Sequence, residues 1–403
     1  MTAQPSLAMK ATATARPPDF SLVLGGPLFQ LYQRLHLSGP ALEFLRRRVM
    51  TIMLFIWLPL LLLSGLERHA FGGSVEISFL HDIEANARFL VALPALIIAE
   101  VVVHRRISPL VRRFVERRIV VTEDLPTFDA AVNSALRIRD SNVVEGGLLA
   151  LVYTLGLWIW RSQIAIGVTT WYAIPGALHL HLTLAGCWYV FVSVPFFQFI
   201  LLRWYMRLVL WFWLLWQFSR LDLHLTAAHP DQAGGIGFLG SGSYAFGLIL
   251  FAQGTLVAGL IANRVLHEGR GLLSFKMEAA GYVGFFLLFI LGPLAMFTPK
   301  LNAAQRKGST EYGLLANRYV FGFEEKWIRR VPEASEVLGT ADLQSLADLG
   351  NSYSMVRAMR IVPFSLQDVT RLAVLTATPL LPLMLTILSP QELLSRLLKV
   401  LFR

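Results

Sequence analysis

The chain is 403 residues long, 55% hydrophobic and only 15% charged, with a mean hydropathy of +0.57. That balance excludes an ordinary soluble domain, in which about 25% of residues are charged, and the single cysteine, Cys187, excludes an intrachain disulfide or a cysteine metal cage. The formal charge of +10 forms no single basic face, because Lys and Arg flank apolar runs. Orientation in a membrane explains them, and nucleic acid is not expected as a partner.

In chain order, Met1 to Pro18 is rich in Ala, Thr and Pro and free of acid. It reads as a disordered tail, with a transit peptide as the lesser alternative and no removable secretory signal. Leu28 to Arg48 mixes Leu and Phe with Arg as interfacial helices do, so residues 1–49 form a cytoplasmic tail and amphipathic helix. A span needs about 20 apolar residues, because each backbone amide in hydrocarbon must be paired within its own helix. The runs that approach this are Met50 to Leu66, Phe89 to Val103, Gly146 to Ile166, Leu182 to Leu202, Tyr244 to Leu266, Gly281 to Phe297 and Leu372 to Leu388. The expected fold is therefore an all-α, polytopic transmembrane helix bundle of about seven membrane helices with cytoplasmic amphipathic helices.

The connectors divide by charge. Arg46, Arg47 and Arg48 precede the first span, Arg105, Arg106, Arg112, Arg113, Arg117 and Arg118 follow the second, and Lys300, Arg306, Lys307 and Arg318 follow the sixth. Cations are retained where synthesis occurs, which places the amino terminus in the cytoplasm. The organisation is then spans one and two over 50–103, amphipathic cytoplasmic helices over 104–145, and spans three and four with an interfacial extension over 146–221. A loop over 222–243 follows, then spans five and six over 244–297, a cytoplasmic helical segment over 298–371, and a last span with an amphipathic carboxyl helix over 372–403.

Within 104–145, Ser108 and Pro109 start one helix and Thr122, followed by Glu123 and Asp124, starts another towards Arg139. Arg203 to Leu221 mixes Trp204, Trp211, Trp213 and Trp216 with Leu and Phe, interrupted by Arg203, Arg207 and Arg220. It is too short to cross and is expected at the inner interface, where Trp is favoured. In 298–371, Tyr312, Leu315, Tyr319, Phe323 and Trp327 recur at helical spacing. Pro332 breaks that helix, and Thr340 caps the next, which carries Leu343, Leu346, Tyr353 and Val356.

Two places carry candidate chemistry. In LDLHLTAAHPDQAGGIGFLG, over 221–240, Pro230 pushes His229 out of helical geometry, Asp231 caps the turn, and Gly234 and Gly235 permit positive φ. A tight turn is the plain reading, and His224, His229 and Asp231 with the Gly234 and Gly235 amides are the candidates for a ligand or ion site. The spacing matches no zinc pattern, so metal and cofactor are left unassigned. The second place is Glu100 with His104, four residues apart on one helical face near the inner end of span two. Either they pair with neighbouring arginine or they serve a proton or cation step at a pore mouth. Polar residues within the spans are Gln163, Gln198, Gln253 and Asn263, and Pro195, Pro293, Pro379 and Pro382 mark kinks or broken helices. Gly235, Gly237 and Gly240 fit Gly-x-Gly-x-x-Gly but follow no strand, and Walker, hydrolase-elbow and zinc-protease signatures do not occur.

HPDQAGGIGFLG, YGLLANRYVFGFEEKW and GTADLQSLADLGNSYSMVRAMRIVPF resemble a family of uncharacterised multi-pass bacterial membrane proteins, over Arg220 to Phe364. The resemblance implies an inner-membrane location and marks the HPD turn and the ADLQSLADLGNS helix. The leading expectation is a channel or transporter-like protein with a cytoplasmic regulatory region, its partners the lipid bilayer and either a second copy or another membrane or cytoplasmic protein. The alternatives are a membrane scaffold or signalling partner, and an enzyme using His229 and Asp231.

Overall fold

Long apolar runs leave the backbone no partner except itself, and the chain answers with helices that continue past the edges of those runs. A computed structural model describes residues 20–37, 39, 42–72, 75–156, 158, 169–175, 180–267, 269–330 and 341–386. The described elements are α1 (Pro27–Arg34), α2 (Leu45–Leu66), α3 (Ile83–Glu116), α4 (Leu125–Arg139), α5 (Asn142–Gly156), a hairpin of β1 (Ala173–Pro175) and β2 (Leu180–Leu182), α6 (Leu184–Arg220), α7 (Phe238–His267), α8 (Leu272–Arg329), α9 (Ala341–Arg357) and α10 (Leu366–Ala377). A 3₁₀ stretch, Thr378–Thr386, prolongs α10. The fold is all-α, and α2, α3, α6, α7 and α8 are five helices long and apolar enough to cross a bilayer, as in a multi-pass membrane protein. α5 is a shorter apolar helix, and part of the expected third span lies outside the described residues, as do the amino-terminal tail, Pro332, Thr340 and the carboxyl helix.

The connectors gather at two opposite ends of the bundle. At the hairpin end, Ile77 bridges to Thr170, the Leu184 amide donates to Glu67 Oε1 at 2.8 Å, and the Ile83 amide donates to Asn263 Oδ1 at 3.0 Å. At the basic end, the His224 amide donates to the Ile119 carbonyl at 2.7 Å, Lys300 donates to the Leu221 carbonyl, and the Arg360 amide donates to the Gln232 carbonyl at 2.7 Å. Rings fill the basic end, with Phe128 stacked on Phe218 at 4.5 Å and Phe114 5.0 Å from Phe218. α7 packs closely because small residues face its neighbours. A Cβ at Gly254 would lie 2.1 Å from the Thr376 carbonyl oxygen, and one at Gly259 would lie 3.0 Å from Glu84 Cα.

Several elements differ from the sequence reading. No helix starts at Pro109, because α3 runs through it. A proline in a helix removes one backbone bond, and here Ile107, Leu110, Val111 and Phe114, all buried, hold the helix together across the gap. The region after Leu202 continues the fourth helix, with Trp204 and Trp211 buried in the bundle and Trp216 exposed. Leu28 to Arg48 is not one helix, since α1 ends at Arg34 and α2 begins at Leu45. α8 does not stop at Phe297: after a 3₁₀ stretch at Gly292–Phe297 it extends as an arm, against which α9 packs. Tyr319 donates to the Asp342 carbonyl and Trp327 Nε1 donates to Asp342 Oδ2 at 3.0 Å, so part of the aromatic stripe is the packed face. Leu315 and Leu343 are exposed instead.

Candidate functional site: a polar cavity among the helices

A cavity of about 1050 Å³ opens at the hairpin end between α3, α6, α7 and α8. Its position follows from where helical geometry is irregular. Arg88 and Tyr189 each begin a π-helical turn, Arg88–Ala92 in α3 and Tyr189–Ser193 in α6. Such a turn widens the helix by one residue and is frequent at functional sites. Across the cavity wall Arg88 Nη1 donates to the Tyr189 hydroxyl at 2.8 Å, while Arg88 Nη2 pairs with Glu84 one turn earlier at 2.5 Å.

The mouth is built on Asp82. Its carboxylate caps the start of α3 by accepting from the Ala85 amide at 3.0 Å. It also accepts from Asn263 Nδ2 and Trp171 Nε1, each at 3.0 Å. Donors from three elements thus satisfy a buried carboxyl group, and the contact fixes α3, α7 and the hairpin loop together. Arg264 and His267 line the same wall. The floor lies about 15 Å along α7 from Asn263, at 1.5 Å per residue. There Gln253 Nε2 donates to the Tyr205 hydroxyl at 2.7 Å, and the Tyr282 hydroxyl donates to the Gln253 carbonyl at 2.8 Å. Gln198 also lines the cavity, and its Oε1 is buried without a hydrogen-bond donor among the described residues.

The residues singled out from sequence lie elsewhere. In the HPD turn, Asp231 accepts from the amides of Ala233 at 2.8 Å, Gly235 at 3.1 Å and Gly237 at 2.8 Å. Gly234 and Gly235 have φ of +64° and +98°, a conformation glycine adopts freely. His229 Nδ1 sits 2.8 Å from Asp231 Oδ1. Burial works against the Asp231 charge, but the three amides and His229 hold its carboxyl below the usual carboxylate range. These oxygens are thus occupied in folding the turn, and His224 is exposed away from them, bound through its backbone to Ile119. Among the described residues no three His, Cys, Asp or Glu side chains form a group able to hold a metal ion.

Glu100 and His104 share a helical face but have different partners. His104 Nδ1 is 2.9 Å from Ser21 Oγ, on the segment before α1. Glu100 is buried and meets Arg207 at 3.0 Å, Arg203 at 3.3 Å and Arg48 at 3.3 Å, and Arg203 also reaches Glu145 at 2.7 Å. The arginine-pairing alternative describes Glu100, with the partners drawn from α2 and α6 instead of the adjacent Arg105.

No family model, curated protein or solved structure matches the chain. The site must therefore be read from its own geometry. Among its lining residues the cavity presents amide, phenol, guanidinium, imidazole and carboxylate groups. Sequence reasoning found Gln198, Gln253 and Asn263 as polar residues in spans, but missed Arg88, Tyr189, Arg264 and Tyr282. The available signal was Glu84 with Arg88, an i, i+4 pair at the head of an apolar run.

Proposed function

We propose that the protein is a channel or transporter-like protein of the bacterial inner membrane, with its amino terminus and basic end in the cytoplasm, that admits a polar solute through the cavity at the hairpin end. The observation that carries this reading is the cavity itself: about 1050 Å³ of space, lined by polar groups as well as apolar side chains, among helices long and apolar enough to cross a bilayer. Intramembrane polar groups are retained against the preference of hydrocarbon, and irregular helical turns are tolerated there where they line a cavity. Seven crossings fit the sorting of connectors, with α5 and α10 as the additional spans. The basic end then follows the charge bias of insertion.

The test is flux of a panel of small polar solutes and ions into vesicles holding the full chain, compared with Gln253→Ala and Tyr282→Phe. The reading expects flux for at least one solute, reduced in both variants while folding is kept. Absence of flux across the panel in wild-type vesicles of both orientations would contradict it.

A second reading, a membrane scaffold, has its own observation. The α8 arm leaves Leu314, Leu315, Phe321 and Ile328 exposed, a larger apolar display than a free surface helix usually carries. Capture of a cellular protein that is lost in Phe321→Ser together with Ile328→Ser, with flux unchanged, would favour it.

A further inference from the structure

The buried ion cluster at the basic end is not balanced. It contains three arginines, Arg48, Arg203 and Arg207, against two carboxylates, Glu100 and Glu145. Asp140 is taken by Arg139 through both Nε at 2.8 Å and Nη2 at 2.7 Å. Among the described residues one positive charge is left over, and Arg48 shows it: the side chain is fully buried, and none of its three guanidinium nitrogens makes a hydrogen bond to a described residue. It has only an off-line contact with Glu100 and the face of the Tyr32 ring, 5.4 Å away. A buried guanidinium whose donors make no hydrogen bonds is unfavourable unless an acceptor with free lone pairs reaches it.

Backbone carbonyls stand where that anion would be. The segment from Phe20 to Tyr32 crosses the cluster, and its Val23 and Gly25 carbonyls accept from Arg207 Nη2 and Arg203 Nη2 at 3.4 Å each, long for bonds to a charged donor. Phe20, Leu22, Val23 and Tyr32 are buried beneath it, so the segment seals the arginines from solvent. We propose that Arg48, Arg203 and Arg207 form a binding site for a phosphate group, which the segment Phe20–Tyr32 closes in this state and vacates when phosphate binds. Guanidinium forks match phosphate oxygens in pairs, and three of them offer more donors than the carbonyls use. A ligand that reaches only the open state shifts the population towards it. The phosphate comes either from a free anion or from a lipid headgroup at the same end of the bundle, and the two sources are separable.

The experiment uses the full chain in phosphatidylcholine nanodiscs, with Cys187→Ser removing the native thiol and Val23→Cys reporting the segment. Maleimide labelling of position 23 is slow while the segment is seated. Inorganic phosphate, against sodium chloride at equal ionic strength, is expected to raise the rate by about tenfold if the source is a free anion. Nanodiscs containing phosphatidylglycerol raise it instead if the source is lipid. Either rise should disappear in Arg207→Gln and in Arg48→Gln. Unchanged labelling in both arms overturns the proposal, and so does a rise that persists in the two arginine variants. Should those variants fail to fold, the two arms on the parent protein still decide. No residue of the cavity takes part, so failure here leaves the flux assay unaffected.

Discussion

At Glu100 the physical question is how a carboxylate survives within an apolar helix, and the answer is Arg203, Arg207 and Arg48 within 3.3 Å. Removing one partner of a buried pair exposes the rest to an unfavourable environment. Glu100→Ala, which strands three arginines, is expected to lower apparent stability by about 3–5 kcal/mol, whereas the double variant Glu100→Ala with Arg207→Ala should cost less than the sum of the two single changes. Thermal unfolding in detergent checks both, and additive losses would show that the pair does not interact. Tyr32, against the same cluster, has its phenol pushed above its ordinary value first by burial and then by Glu100, so it stays neutral beside Arg48. Asp231 gives a pH prediction of definite sign. Its folded pKa lies below the usual 3.8, so its contribution is present above that value and is lost as pH falls through the lower folded value. Asp231→Asn should destabilise the protein near neutrality and flatten the acid limb of a midpoint-against-pH curve. An acid limb identical to that of the parent would remove Asp231 from the account.

Among the elements, α7 is the helix whose small residues set the packing. Gly254→Leu would drive a side chain into the Thr376 carbonyl oxygen, 2.1 Å from the Cβ position, and should separate α10 from α7 and lower the folded yield. Gly281, on α8, has no atom within 4 Å of its Cβ position. Gly281→Ala should be neutral or stabilising by up to about 1 kcal/mol through helix propensity. Size-exclusion profiles and unfolding midpoints of the two variants test the contrast, and equal losses would contradict it. The helices themselves were legible in the sequence because hydrocarbon-length apolar runs admit no other backbone solution. Their junctions were not. Pro109 reads as a helix start, yet packing by Ile107, Leu110 and Phe114 carries α3 across it, while Pro293, read as a kink or a break, sits in a 3₁₀ stretch between the α-helical parts of α8. The HPD turn was readable residue by residue, because proline, an Asx cap and glycine act locally. The cavity and the arginine cluster were not readable, because Arg88 with Tyr189, and Arg48 with Glu100 and Arg203, are far apart in sequence and meet only after the helices pack.

For the molecule as a whole, every functional statement depends on which end faces which compartment. The hairpin end carries the mouth of the cavity, and the basic end carries the HPD turn, the ion cluster and the α8 arm. Cysteine mapping in sealed inverted membrane vesicles and intact cells tests that division most directly, with Cys187→Ser as background. Glu76→Cys and Leu273→Cys report the hairpin end, and Gln232→Cys and Glu311→Cys report the basic end, all four positions being exposed. The expected result is labelling of the first pair by an impermeant maleimide from outside intact cells and of the second pair only from the cytoplasmic face. Labelling of both pairs from the same side would contradict the account.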